Sequence, residues 1–247
     1  MTSAVQVTVL GSGDAFGSGG RLHSAYLVES AAATFVVDCG TTVLQGLKRA
    51  GVDPEKVDFV CLSHLHGDHF GGLPFLFMDY MYESRRRRPI TIYGPPGTQA
   101  RVEALFGALY QRQAAQGLPY AVSFAELDAG TTVVQGVSIE AFAVPHVSEL
   151  VCYGFRITVD GRTIVYSGDT GWTDAFIAKT TGADLFICEC STFETRLDIH
   201  VSYPEVAARA ASLGCRRLLL SHLGAEPLRR RDEITLEIAE DGMVIPL

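Results

Sequence analysis

Apolar and polar residues alternate along much of this chain in short runs, and turn residues interrupt them at close intervals. Residues 5–10 alternate as a strand that stops at Gly11-Ser12-Gly13-Asp14. Residues 24–28 and 34–37 read as a strand pair joined by a short turn, and residues 41–50 as the helix after it. Residues 57–62 are an apolar run of strand length, and residues 73–82 a helical run beyond Gly71, Gly72 and Pro74. Further strands are expected over 89–93, 122–127, 132–134, 137–144, 184–189 and 216–220. Residues 151–159 and 163–167 read as a hairpin across Asp160-Gly161, a strong turn dipeptide. Helical runs are expected over 99–116, 173–179 and 203–213. Two strand-rich halves follow one another, each with helices. No linker or shift in composition divides them, so a single α/β domain over 1–247 is expected.

The chemistry is concentrated where strands end. His64, His66, Asp68 and His69 crowd into six residues just beyond the strand at 57–62. Imidazole suits zinc, and carboxylate suits harder or bridging positions. Three histidines in one turn would crowd one another at a cost without a metal to share. His146, Asp169 and His222 each follow a predicted strand as well. Residues far apart in the chain but all at strand ends can converge on one edge of a layered fold.

Other features leave alternatives open. Asp38, also at a strand end, either orients a ligand imidazole or caps the helix that follows. The glycine-rich loop over 11–20 either offers backbone N–H groups to a phosphate or is a plain turn. It is neither a Walker loop nor a dinucleotide fingerprint. Arg85-Arg86-Arg87-Arg88 is either a solvated turn or a phosphate-facing rim. His23 reads as a loop residue.

Composition narrows the class. With 247 residues, 47% hydrophobic and 19% charged, the chain is an ordinary globular one and not a disordered one. A net charge of −8 argues against broad, salt-driven binding of nucleic acid. No apolar stretch is long enough to span a bilayer, so no membrane partner is expected. The first residues lack the charged start of a secretory leader. Six cysteines without a Cys-x-x-Cys spacing read as buried, reduced thiols. Together these features lead to the expectation of a cytoplasmic protein.

Four segments, in order, resemble the metallo-β-lactamase superfamily over nearly the whole chain: residues 60–69, Pro145-His146, residues 166–170 and Leu220-Ser221-His222. Leu10-Gly11-Ser12-Gly13, residues 92–97, residues 184–189 and His200-Val201-Ser202 are similar to the ribonuclease Z branch. The resemblance implies a four-layer αβ/βα sandwich, two mixed sheets flanked by helices. It implies two Zn2+ per chain, with Mn2+ or Fe as substitutes. His64, His66 and His146 would hold the first ion, Asp68, His69 and His222 the second, and Asp169 would bridge them. A water shared by two such cations loses its proton near neutral pH and can attack phosphorus or a carbonyl carbon. Asp68 would orient or deprotonate that water. His200 would protonate the leaving group, held in the right tautomer by Glu189. Against that, His200 can be read as a loop residue ahead of a helix.

One departure stands out. Members that process tRNA carry a long arm, which in bacterial forms lies between the motifs matched by His146 and Asp169. Here 22 residues separate them, and a hairpin uses the space. The expected activity is therefore a metal-dependent phosphodiesterase acting on a small or cyclic phosphodiester or a short RNA. The same core would serve an ester, lactone or thioester hydrolase, and a non-catalytic RNA- or protein-binding module is the third reading. The branch implies a homodimer.

Overall fold

A computed structural model describes residues 5–247. Part of the sequence behind the expectation of no leader, residues 1–4, lies outside them. Along the chain run β1 (Gln6–Gly11), β2 (Ala25–Glu29), β3 (Thr34–Val37), α1 (Val43–Arg49), β4 (Phe59–Cys61), α2 (Gly67–Phe70) and α3 (Leu73–Tyr82). There follow β5 (Ile90–Gly94), α4 (Thr98–Leu109), α5 (Gln111–Gln116) and β6 (Val122–Glu126). The second half holds β7 (Gly130–Val134), β8 (Val137–Ala143), β9 (Tyr153–Val159), β10 (Arg162–Tyr166), α6 (Ala175–Thr180) and β11 (Leu185–Glu189). It continues with α7 (Tyr203–Arg209), β12 (Leu218–Ser221), α8 (Ala225–Arg229), β13 (Glu237–Ile238) and β14 (Val244–Pro246).

The strands form two seven-stranded mixed sheets, β14-β1-β2-β3-β4-β5-β6 and β13-β12-β11-β10-β9-β8-β7. Side chains alternate across each strand, and here both faces are covered. On β4, Phe59 and Cys61 point into a central core shared by the two sheets, where Val7, Tyr26 and Phe35 meet Phe155, Ile157 and Ile187. Val60, between them, points outward onto Leu47, Leu76 and Tyr80 of the helical layer. β11 repeats the pattern: Leu185 and Ile187 face inward, while Phe186 and Cys188 pack on Phe176 and Val206. The result is helix, sheet, sheet, helix, the sandwich expected above. Each fully buried aromatic or aliphatic side chain contributes roughly 1.5–3 kcal/mol.

Three details differ from the sequence reading. The helix expected over 99–116 is two helices, broken at Tyr110, whose backbone leaves the helical region (φ −135°, ψ 58°). The Tyr110 ring packs against Phe75 and Phe106, at centroid distances of 6.2 and 5.8 Å, so tertiary contact overrides local propensity. The last strand, β14, crosses back to pair with β1 in the first sheet, and no local pattern marks that return. The arginine run is a solvated turn at Arg85, Arg87 and Arg88, which are exposed, but not at Arg86. Arg86 is fully buried, stacked 4.7 Å above the Tyr80 ring. Its guanidinium donates to the carbonyls of Arg88, Glu55 and Pro89 at 2.9, 3.0 and 2.8 Å. Arg88 bonds Asp58 and the Glu55 carbonyl. The run therefore fastens the turn after α3 to the loop before β4. All six cysteines are free thiols, and five are buried.

Candidate metal centre

The chemistry-bearing residues gather along one edge of the sandwich, where strands deliver them. Residues 64–69 follow β4, His146 follows β8, Asp169 follows β10, Glu189 ends β11 and His222 follows β12. α2, a single turn unseen in the sequence pattern, presents Asp68 and His69. Its docking needs glycine: a Cβ on Gly72 would lie 2.1 Å from the Gly40 carbonyl oxygen, and one on Gly40 would lie 2.4 Å from that of Asp68.

Two tetrads result. His64, His66, His146 and Asp169 form one, and Asp68, His69, Asp169 and His222 the other. Within each, the donor atoms lie within 4.8 Å of one another, and Asp169 belongs to both. His64 Nε2 and His146 Nε2 lie 3.1 and 3.2 Å from His66 Nδ1. Asp68 Oδ2 lies 3.2 Å from His69 Nε2 and 3.3 Å from His222 Nε2. Asp169 reaches His69 and His222 at 3.2 and 3.4 Å through its two oxygens. Tetrahedral donors about 2.0–2.1 Å from a zinc ion stand about 3.3 Å apart, so these spacings fit a shared cation. His69 Nε2 and Asp169 Oδ1 are buried without a hydrogen-bond partner. Buried polar atoms are rarely left so, and a cation between them satisfies both. The donor set therefore fits metal.

The outer nitrogens show how the rings are held. His69 Nδ1 donates to Asp38 Oδ2 at 2.7 Å, and His146 Nδ1 to the Ile199 carbonyl at 2.9 Å. His64 Nδ1 donates to Ser63 Oγ at 3.0 Å, and Ser63 Oγ donates on to Asp38 Oδ2 at 2.8 Å. His222 Nδ1 donates to Ser191 Oγ at 2.9 Å, and Ser191 Oγ donates on to Glu189 Oε2 at 2.8 Å. Each of these four rings thus aims Nε2 inward, and only His66 presents Nδ1. Asp38 also accepts from the Ser63 amide (2.7 Å) and the Tyr166 hydroxyl (2.7 Å). It orients His69 and does not cap α1, which starts at Val43. Asp38 and His222 both hold positive φ, +56° and +54°. Strain of this kind clusters at functional sites.

The charges follow the geometry. Burial, reinforced by the neighbouring His69, holds His64 well below the usual imidazole range. Burial and His146 lower His66 as well. Burial alone would lower His69, but the carboxylates of Asp169, Asp68 and Asp38 outweigh it and raise it well above 6.5. Burial is likewise outweighed at His222, where Asp169 and Asp68 push the ring up to about 9. Burial opposes ionisation of Asp68 and Asp169 too, yet the facing histidines hold both well below the usual carboxylate range. The carboxylates and the raised imidazoles thus hold one another in their charged forms.

His200 stands beside the tetrads. Its Nδ1 donates to Glu189 Oε1 at 2.8 Å, and its ring centroid is 5.0 Å from that of His146. Burial lowers His200, but the Glu189 hydrogen bond and charge prevail and raise it. Buried Glu189 also accepts from the amides of Thr170 (2.7 Å), Ser191 (3.2 Å) and Val201 (3.3 Å). His200 is thus built into the site and is not a free loop residue.

The cluster floors a cleft of about 800 Å³. The glycine-rich loop lines one side of it but is not an open phosphate nest. Asp14 fills its own loop, accepting from Phe16 N (3.2 Å), Ser18 N (2.9 Å) and Ser18 Oγ (2.8 Å). His23 lies outside the lining and bonds Thr41 Oγ1 at 2.6 Å. Ser63, Ser191 and Tyr166 escaped sequence reasoning. A hydroxyl carries no motif of its own, and only the positions of Ser63 and Ser191 beside His64 and Glu189 hinted at a role.

This sandwich and His/Asp cluster define a metal-dependent hydrolase of the metallo-β-lactamase fold, in its ribonuclease Z-like branch. The chain belongs to the family described as Anti-Pycsar protein Apyc1, whose profile matches residues 5–242. It is 32% identical over 250 residues to the uncharacterized protein Rv1339 of Mycobacterium tuberculosis, covering 95% of this chain and 85% of that one. It is 31% identical to the probable metallo-hydrolase YhfI of Bacillus subtilis, covering 97% and 99%. The crystal structure of YhfI superposes with a TM-score of 0.79 at 26% identity, over 98% of this chain and 100% of that one. Human tRNase Z, short form, superposes with a TM-score of 0.77 at 26% identity, over 97% and 98%.

Proposed function

We propose that the chain is a single-domain phosphodiesterase over residues 1–247, hydrolysing a small or cyclic phosphodiester or a short RNA. His64, His66 and His146 would hold one divalent cation, Asp68, His69 and His222 a second, with Asp169 shared. The imidazole-rich donor set favours two zinc ions per chain, and manganese or iron suits its carboxylates. When bound, such a pair acidifies a water and stabilises negative charge on the reacting oxygens. Asp68, which lines the cleft, would orient that water or accept its proton.

The observation that carries the reading is His200 on Glu189. A phosphodiester that expels an alkoxide needs a proton at the departing oxygen. A raised imidazole, fixed through Nδ1 and lining the cleft, can donate one from Nε2. A thioester hydrolase on the same ligands has no use for such a residue, since a thiolate departs unprotonated. An ester or lactone expels an alkoxide too and is set apart by the relatives. The likeness to human tRNase Z supports phosphodiester chemistry. The span from 147 to 168 holds one loop and the β9–β10 hairpin, which supports a small substrate over tRNA. Six free thiols support a reducing, cytoplasmic setting. Exposed Phe75, Tyr82 and Leu109 on α3 and α4 support a homodimer.

The test compares two phosphodiesters in wild type and His200→Ala, after reconstitution with zinc or manganese. With an alkoxide leaving group the variant should lose roughly 10²–10⁴ in kcat, the usual worth of a positioned acid. With p-nitrophenolate, which departs unprotonated, the loss should be small. Equal losses on both would refute the acid role.

A further inference from the structure

Two buried tyrosines cross between the sheets behind the metal centre. Tyr26, on β2 of the first sheet, shares a hydrogen bond of 2.6 Å with Ser221 Oγ, at the end of β12 in the second. Tyr166, at the end of β10 in the second sheet, donates at 2.7 Å to Asp38 Oδ2, just beyond β3 in the first. The two rings lie against each other, with centroids 5.1 Å apart. Both belong to the core between the sheets, and burial raises both phenols, so each keeps its proton.

The partners of these hydroxyls share a property. Asp38 and His222 are the two non-glycine residues of the centre with left-handed backbone, and Ser221 immediately precedes His222. Strained backbone persists only where its surroundings over-determine it. Here each strained position is gripped from the opposite sheet, Asp38 by Tyr166 and the step from Ser221 to His222 by Tyr26. Asp38 in turn holds His69, and Asp169 follows Tyr166 by three residues. The contacts that close the second tetrad are His69 with Asp169 and Asp68 with His222. Each joins a residue delivered by one sheet to a residue delivered by the other. Their spacing therefore depends on how the sheets are set against each other. A buried phenol needs a partner, but a backbone carbonyl suffices. Tyr153, in the same core, donates to that of Leu127 at 3.0 Å. Tyr26 and Tyr166 reach across to the centre instead.

We infer that Tyr26 and Tyr166 are a pair of positioning residues. Their crossed hydroxyl bonds hold the residues proposed for the second cation, Asp68, His69, Asp169 and His222, in register across the two sheets. The tyrosines are not ligands themselves. The inference rests on the two-ion centre proposed above and is independent of the substrate. It assigns both tyrosines to the second cation, because the ligands they steady, His69 and His222, belong to that tetrad.

Metal binding tests it without turnover. Stepwise zinc affinities are measured by competition with a chromophoric chelator, and visible spectra are recorded on cobalt-loaded protein. Tyr26→Phe and Tyr166→Phe should each weaken one of two zinc ions roughly tenfold, the lower end of what partners behind a metal ligand are worth. The other ion should keep its affinity, and the cobalt absorption should change for the weakened ion alone. Ser221→Ala removes the other half of the Tyr26 bond and should reproduce its loss. Tyr153→Phe deletes a hydroxyl from the same core and should leave both affinities and both cobalt bands as in wild type. Two zinc ions bound as in wild type by both tyrosine variants overturn the inference and leave the two-ion centre standing. An equal loss in Tyr153→Phe, or a loss spread evenly over both ions, also overturns it. A wild type that takes one ion, bound more weakly in both tyrosine variants, upholds the brace and removes the two-ion centre. A wild type that takes no ion overturns both.

Discussion

Asp38 and Glu189 play matching parts from opposite sheets. Each is a buried carboxylate that holds one histidine directly and a second through a serine hydroxyl. Asp38 holds His69 at 2.7 Å, and His64 through Ser63. Glu189 holds His200 at 2.8 Å, and His222 through Ser191. Both make several charge-assisted bonds at little exposure, so each braces its half of the centre firmly.

The serine relays should therefore tune metal affinity without touching metal. Ser191→Ala leaves the His222 Nδ1 without its acceptor. Partners of this kind are typically worth 10–100-fold in metal affinity. Competition with a chromophoric chelator should show a loss of about that size for one of two ions, with the fold unchanged by circular dichroism.

The Glu189 carboxylate raises His200, and the acid form of His200 is the one that donates. Activity on an alkoxide leaving group should therefore fall as pH rises through the raised value. Glu189→Gln removes the charge that raises it, so the alkaline limb of kcat should move to lower pH. A limb that stays in place would assign it to another group.

Removing metal should make stability depend on pH. His222 is raised from 6.5 to about 9 in the folded metal-free chain, because Asp169 and Asp68 overcome its burial. His69 is raised as well. A raised group stabilises the fold fully below its unfolded value and loses that contribution as pH rises through the folded one. Metal-free protein should lose Tm between pH 6.5 and about 9. Metal-loaded protein should hold its Tm there, with an unfolding free energy about 4 kcal/mol higher for each ion at a thousandfold excess over Kd.

Arg86 predicts a stability defect apart from chemistry. Arg86→Ala deletes a buried cation and strands the carbonyls of Arg88 and Pro89, while Arg88 still bonds that of Glu55. A loss of about 3–5 kcal/mol is expected from breaking a buried charged network. Denaturant unfolding should show it, with kcat/KM at low temperature close to wild type.

The order of strands and helices was legible because both faces of each sheet are buried and the runs are short and well punctuated. The donor residues were legible because each stands where a strand ends. What lay beyond the sequence is contact between distant side chains. Asp38 and Tyr166, bonded at 2.7 Å, are 128 residues apart. The choice between Asp38 as brace and as cap was thus settled only in three dimensions. Arg86 looked solvated because its acceptors are backbone carbonyls, which any sequence can supply. The glycine-rich loop looked open because nothing local announces that Asp14 turns back into it.

The central claim is phosphodiester hydrolysis at a metal centre built from these seven donors. The most direct measurement is kcat/KM of the zinc-reconstituted protein for bis(p-nitrophenyl) phosphate against p-nitrophenyl butyrate, with and without chelator. The account predicts that the phosphodiester is the better substrate and that chelation abolishes its turnover. Inertness toward the phosphodiester, with rapid turnover of the carboxylic ester, would contradict it.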